Sequence, residues 1–288
     1  LGSFWWFFEL FSHFRVQYAL GLTVVGALLL LSVGRRRIGA FFLGLACVNA
    51  LFIAPLYFGD GAATVRGDTL RILLINVNTR LGDPEKVRRE VQRVDPDVVV
   101  LIEINRRWVE ELAWLADSHK HTTVDSREDN FGIGVFSKNP LENTEIVYLG
   151  SSGAPSILAD VELDGQRIHL LATHPLPPTR RENALLRNEQ LRRVAEYARE
   201  KRPLVLVGDL NTSPWSPHFR RLVRESGLQN SARGYGIQGS WPRQSLLFRI
   251  PIDHCLHSAE IAVVARQIGH DVGSDHFPVI VELGLSDR

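Results

Sequence analysis

Methionine is missing from all 288 residues, cysteine occurs only twice, and the chain carries almost no net charge. Each shortage excludes something. Cys47 lies inside an apolar stretch and Cys255 far from it, so no disulfide framework can be read and the redox compartment stays open. The near balance of 33 Lys plus Arg against 32 Asp plus Glu lacks the basic excess with which non-specific nucleic-acid binders neutralise phosphate. That balance is uneven along the chain. Residues 1–59 hold Arg15, Arg35, Arg36 and Arg37 against Glu9, a net of +3, which leaves −2 for the remainder. There is no internal repeat and no low-complexity tract, and 45% hydrophobic residues exclude a disordered chain. With no Met and Leu1 in first place, a fragment or a trimmed product is expected.

What the chain does have is apolar length near its start. Residues 4–11, Phe-Trp-Trp-Phe-Phe-Glu-Leu-Phe, form an aromatic cluster of the kind found at membrane interfaces. Two apolar segments follow, about 18–33 and 38–58, and crossing a bilayer takes ~20 such residues, with about 17 as the lower limit. Only Gly34-Arg35-Arg36-Arg37 separates them, so residues 1–58 are expected to be a transmembrane helical hairpin. The positive-inside tendency keeps the arginines cytoplasmic, which puts everything after Phe58 outside the cytoplasm, tethered to a plasma or inner membrane. A cleaved signal peptide fits less well, because the cationic run lies between the apolar segments instead of before them. Residues 59–69 read as a short Gly-rich linker.

From residue 70 the pattern changes to short apolar runs. Strands are expected at 70–77, 98–102, 132–136, 156–162, 167–173, 204–207, 251–256 and 279–283, with Asp164-Gly165 as a hairpin turn. Two long amphipathic helices are expected, about 84–94 and 180–201, the second with Ala184, Leu191, Val194, Ala195 and Ala198 on one face. Trp215 to Phe219 reads as an aromatic loop. These elements suggest one strand-rich α/β layered domain over 70–288.

The chemistry gathers where strands end. Gly208-Asp209-Leu210-Asn211-Thr212-Ser213-Pro214 follows a buried run directly, and alternation points Asp209 and Asn211 to one side. A second acid-bearing knot, Gly273-Ser274-Asp275-His276, precedes the last apolar run. Glu103 comes straight after five branched apolar residues, where a buried carboxylate needs a partner.

In order, Asn76, Glu103, His174, the Gly-Asp-Leu-Asn run, Asp253 and Gly-Ser-Asp-His resemble the endonuclease/exonuclease/phosphatase superfamily over about residues 70–284. The resemblance implies a four-layer α-β-β-α sandwich, two sheets face to face with helices outside. It implies Glu103 as principal ligand of a divalent cation, with Asn76 close by and Asp275 supporting the metal or His276. It implies Asp209 as orienter or base for the attacking water, Asn211 as holder of phosphate or nucleophile, His174 and His276 as donors to phosphoryl oxygens, and Asp253 as the residue that fixes one histidine's tautomer. Oxygen ligands of this kind suit Mg²⁺, with Mn²⁺ as substitute. The chain departs from the family at Asn78, where some nuclease members carry an acid, which leaves open whether one metal binds or two.

The expected function is thus a membrane-tethered, metal-dependent hydrolase of phosphate esters, with phospholipid head groups or small phosphodiesters as substrates. An extracytoplasmic nuclease is the alternative, and a non-catalytic binding module a third. No protein partner is implied.

Overall fold

The computed structural model describes residues 5–59, 61–65 and 67–286. Residues 1–4, including Phe4 of the aromatic cluster, Asp60 and Arg66 of the linker, and Asp287 and Arg288 of the expected catalytic domain lie outside the described residues.

Three helices come first: α1 (Trp6–Ser12), α2 (Arg15–Leu31) and α3 (Arg36–Ile53). α2 and α3 form an antiparallel pair that approaches most closely at two glycines. A Cβ on Gly39 would lie 2.8 Å from the carbonyl oxygen of Gly26, so only glycine permits this backbone contact. Arg36–Leu56 is long and apolar enough to cross a membrane; α1 and α2 meet that criterion only together, and they are bent 64° apart.

β1 (Leu70–Asn76) leads into α4 (Pro84–Val94), β2 (Val98–Ile102), α5 (Arg106–Glu111), β3 (His121–Asp125), β4 (Ile133–Ser137) and β5 (Leu141–Val147). β6 (Ser156–Leu163), β7 (Gln166–Thr173), α6 (Arg181–Glu200), β8 (Leu204–Asp209) and α7 (Pro217–Ser226) follow. β9 (Gln229–Asn230), β10 (Asp253–His257), β11 (Ile261–Ile268) and β12 (Val279–Leu285) complete the chain. Local chemistry explains many boundaries. Asp83 caps α4 by accepting from the amides of Glu85 and Lys86, Pro84 takes the first helical turn, and Asp95 at φ 47° ends it. Asp164 and Gly165, both at positive φ, turn β6 into β7.

The strands form two six-stranded mixed sheets, β11-β12-β1-β2-β4-β3 and β5-β6-β7-β8-β10-β9. Their orders match: in each sheet one parallel pair, β1–β2 or β7–β8, sits between antiparallel neighbours. The sequence has no repeat, yet the topology does. Ile72, Leu74, Val98 and Val100 of one sheet pack against Ile157, Leu170, Val205 and Val207 of the other. On the outer face of the first sheet Leu73 and Ile75 meet Val87 and Val91 of α4; on the outer face of the second Leu171 and Leu206 meet Leu191 and Val194 of α6. That is the expected layering of helix, sheet, sheet and helix. β1 and β2, buried on both faces, can be continuous apolar runs for this reason.

The stretch expected as an aromatic loop is overturned. Ser216 caps α7, Phe219 lies in the α6–α7 core, and Trp215 packs with Ile53 and Leu56 at the base of α3. Neither aromatic is free to touch a bilayer.

Candidate active site

Strand direction alone brings the chemistry together. Asn76 ends β1, Glu103 follows β2, His174 follows β7 and Asp209 ends β8, so all four stand at carboxyl ends of parallel pairs. β12 runs antiparallel to β1 with Val279 opposite Leu74, which delivers Asp275 and His276 to the same edge. β10 runs antiparallel to β8 with Asp253 opposite Asp209. Every residue expected in the site converges there.

The contacts sort these residues by task. His276 Nδ1 lies 2.8 Å from Asp253 Oδ2, and its Nε2 faces Asp209 Oδ2 at 3.8 Å. His174 Nε2 reaches the same Asp209 oxygen at 3.7 Å, while Asn211 donates to Pro175 O at 2.9 Å and its Nδ2 lies 3.3 Å from His174 Nε2. Asn76 Nδ2 donates to Glu103 Oε1 at 2.8 Å, and Asn76 Oδ1 accepts from the amide of Asn78 at 3.0 Å. Asn76 thereby lies beside Glu103, as expected of it, and holds the carboxylate through its side-chain amide. Asp275 accepts from Asn78 Nδ2 at 2.8 Å and from Trp241 Nε1 at 3.0 Å.

Backbone strain accumulates at the same edge. Asn78, Glu103 and Asn211 all have φ between 49° and 63°. Left-handed backbone is costly for glutamate in particular and persists only where surroundings impose it. Thr79 Oγ1 donates to Glu103 O at 2.9 Å, and Gly132 comes so close to Ile104 O that a Cβ would lie 1.7 Å from it.

Electrostatics separate the acids and imidazoles. Burial opposes a charged ring at His276, yet the charge and hydrogen bond of Asp253, with Asp209 behind, push its pKa up to about 10. At Asp253 burial raises the carboxyl, but the His276 charge together with hydrogen bonds from His276 and Ser240 outweighs it and holds that carboxyl low. Burial, and then the negative charge of Asp253, raise Asp209 well above the usual carboxylate range. Burial and the nearby His276 cation lower His174 to about 4, so it is a neutral ring at pH 7. Glu103 is raised by burial, with the Asp275 charge adding to it.

A cavity of about 530 Å³ opens over these groups. Glu103, His174, Asp209, Asn211, Asp275 and His276 form its polar side; Phe131, Trp241, Ile250 and Ile252, with Leu10 and Phe14 of the N-terminal helices, form an apolar wall. A larger groove of about 910 Å³ lies at the opposite end of the sandwich. Two of its acids are engaged within the protein, Asp95 with Lys138 at 2.5 Å and Asp97 with the backbone amide of Arg71 at 2.7 Å, and none of the residues expected in the site lines it.

The donor set fits a divalent cation. Asp209, Asp253 and His276 offer ligand atoms within 4.8 Å of one another, but there the ring of His276 already carries the positive charge that the two acids need. Glu103 and Asp275 are acids that repel each other, and both line the cavity. Hard oxygen donors of like charge are what Mg²⁺ takes.

Residues 73–276 match the model of the endonuclease/exonuclease/phosphatase family. The chain belongs to that family. The activities that name the family are all hydrolyses of phosphate esters, and at this level the chain is a phosphoester hydrolase. No curated protein matches the chain in sequence. Among solved structures it is similar to an endonuclease/exonuclease/phosphatase from Beutenbergia cavernae, at 24% identity and TM-score 0.60, covering 76% of this chain and 72% of that one. Sphingomyelinase C from Streptomyces griseocarneus aligns at 20% identity and TM-score 0.56, covering 75% and 99%. TDP2 from D. rerio in complex with a single-strand DNA product aligns at 18% and 0.61, covering 75% and 99%. At these identities the likeness is one of fold.

Several neighbours of the family residues carry no signal in the sequence. Trp241, which holds Asp275, and Phe131, whose ring lies 5.5 Å from that of His174, sit in irregular segments. Asn78, notable in the sequence as a missing acid, is a donor to Asp275.

Proposed function

We propose that the chain is a membrane-tethered, divalent-metal-dependent phosphodiesterase that acts outside the cytoplasm on phosphate esters of amphiphiles. The observation that carries this reading is the two-faced cavity, acids and imidazoles on one side and an apolar wall with N-terminal helices on the other. The wall continues outward into apolar surface. Trp5, Phe7, Phe8 and Phe11 of the α1 segment are exposed, and Leu246, Leu247 and Phe248 are 83%, 65% and 56% exposed. Gln17 ties Leu247 to the start of α2 at 2.9 Å. Exposed apolar area on this scale, beside a helix able to span a bilayer, supports membrane contact. The −2 balance of residues 60–288 weighs against a nucleic-acid substrate. Arg35, Arg36 and Arg37 between α2 and α3 support a cytoplasmic turn and an extracytoplasmic domain. On this reading residues 1–58 are the anchor, 59–69 the linker and 70–288 the catalytic domain.

In the reaction, water attacks phosphorus as the bond from phosphorus to the ester oxygen breaks; Asp209 takes the proton of the water, for which a raised carboxylate is a stronger base, and the departing oxygen takes a proton from solvent. Cationic His276, held by Asp253, donates to a phosphoryl oxygen, and Asn211 with neutral His174 orients the ester. Glu103, aimed by Asn76, and Asp275 would hold Mg²⁺ or Mn²⁺, which supplies positive charge to the same oxygens when bound. Loss of one aimed donor costs on the order of 10² to 10³ in rate.

The test uses the full chain in detergent against phosphatidylcholine vesicles, lysophospholipid, bis-p-nitrophenyl phosphate and plasmid DNA, with Mg²⁺ and with EDTA. EDTA-sensitive turnover of the lipids, abolished by Asp209→Ala, is expected. Plasmid cleavage without lipid turnover would make the protein a nuclease instead. No turnover of any substrate would make it a binding module. A periplasm-active reporter at the C-terminus should be active; a silent one overturns the orientation.

A further inference from the structure

Helix α1 reaches past the membrane-associated pair and into the domain. Glu9 is fully buried there and forms an ion pair with Arg187 of α6, itself fully buried. Arg187 Nη1 then donates to the backbone carbonyl of Asn211 at 2.9 Å. The other Glu9 oxygen accepts from Ser216 Oγ at 2.7 Å, at the far end of the same Asp209–Ser216 segment. His13 adds two further ties, from its Nδ1 to Ser213 Oγ at 2.9 Å and from Trp215 Nε1 to its carbonyl at 3.0 Å. The Asp209 segment is thus gripped at Asn211, Ser213, Trp215 and Ser216 by groups that α1 and the following turn supply or anchor.

We infer that Glu9 and Arg187 are positioning residues for hydrolysis, through which the N-terminal helix sets the backbone of Asn211 and so completes the site. The inference rests on the phosphodiesterase reading above. Its physical basis is that Asn211 sits at φ 49°, a strained conformation that needs external restraint. Besides its contact with Arg187, the Asn211 backbone has one hydrogen bond among the described residues, from its amide to Asp209 Oδ1 at 2.8 Å. Asn188 Oδ1 also accepts from Arg187 Nε at 3.1 Å and Nη2 at 2.8 Å, but Glu9 is the anion that offsets the buried charge, and a buried guanidinium that loses its counter-charge is strongly destabilised in place. Asn211 in turn touches His174 and flanks Asp209, so a small shift moves three groups at once.

A merely structural salt bridge and a positioning one give different results. The first variant is Glu9→Gln, which keeps shape and the acceptor for Ser216 while removing the charge. The second is the double variant Glu9→Leu/Arg187→Met, since replacing a buried ion pair by apolar residues usually leaves stability intact while here it frees the Asn211 carbonyl. Full-chain protein in detergent is assayed for kcat and KM on bis-p-nitrophenyl phosphate with Mg²⁺, for thermal midpoint, and for hydrogen exchange in the peptide covering residues 208–216. Both variants are expected to lose roughly 10- to 100-fold in kcat with KM nearly unchanged, as about 1 Å of misplacement does. Exchange should quicken in 208–216 and stay constant in β1 and β2, with the double variant as stable as wild type. Glu9→Asp should restore part of kcat. A stable double variant with wild-type kcat and wild-type exchange overturns the inference, as does a loss of activity that only follows the folded fraction. If wild type is inactive on the ester but exchange still responds, the grip on the segment stands and the phosphodiesterase reading falls.

Discussion

Gly208, one residue before Asp209, offers a quantitative test of how tightly the two halves of the site are joined. It lies in β8 opposite the end of β7, and a Cβ built on it would lie 1.8 Å from the carbonyl oxygen of Thr173. Carbon-to-carbonyl contacts in packed proteins settle at roughly 3.3 Å, so Gly208→Ala must part the strands by about 1.5 Å at this point. Both sides of the clash are backbone, and no side chain can rotate out of the way. Overpacking of this kind costs about 3 kcal/mol, which for a domain of this size lowers Tm by roughly 6–12 °C. The catalytic effect should be larger. Thr173 precedes His174 and Gly208 precedes Asp209, whose facing atoms are 3.7 Å apart, so the displacement falls between an imidazole and the proposed base. A shift on this scale costs on the order of 10² in kcat. The assay is steady-state hydrolysis of bis-p-nitrophenyl phosphate at a temperature where circular dichroism shows the variant folded. Gly44→Ala, in α3 with nothing within 4 Å of the added carbon, serves as control and should match wild type. A Gly208→Ala enzyme with wild-type kcat and wild-type Tm would refute the steric argument.

Glu90 on α4 is buried and accepts from Arg93 Nη2 at 2.6 Å and from the His270 amide at 2.9 Å, which ties the helix to the segment before Asp275. Burial by itself raises its pKa, but Arg93 and the His270 amide outweigh it and hold the carboxyl low. Its contribution is therefore present above the unfolded-state carboxyl pKa and is lost as pH falls through the depressed folded value. Glu90→Gln should cost about 1–2 kcal/mol at pH 7 and little in strong acid; urea unfolding that shows an equal cost at both pH values would exclude the linkage. The Cys255 thiol is pushed up to about 12 by burial, so at pH 8 only about one in 10⁴ is thiolate. Maleimide should label Cys255 only after denaturation, and modification of folded protein at that position would contradict its burial. Leu247→Arg, on the exposed 246–248 loop, should lower turnover of vesicle phospholipid on the order of tenfold and leave bis-p-nitrophenyl phosphate turnover unchanged. Equal effects on both substrates would argue that this loop does not meet a bilayer.

The amino-acid sequence by itself picked out the residues that converge in the candidate site and the apolar strands that carry them. β2 and α4 were legible to the residue, because an unbroken branched apolar run and an Asp-Pro cap are local signals. Strands without such runs were not. β3 and β5 are half-exposed and rich in Thr, Asn and Glu, and β11 interleaves Arg266 and Gln267 with its apolar positions, so edge placement and not composition makes them strands. Trp215 and Phe219 are turned inward by α7, whose cap at Ser216 is fixed from 207 residues away by Glu9. The matching order of the two sheets leaves no trace in the sequence, since backbone pairing repeats without repeating side chains. Only the tertiary structure decided that the N-terminal helix borders the candidate site. A lone Glu9 among aromatics says nothing of Arg187, because a buried charge is defined by the partner that folding brings to it.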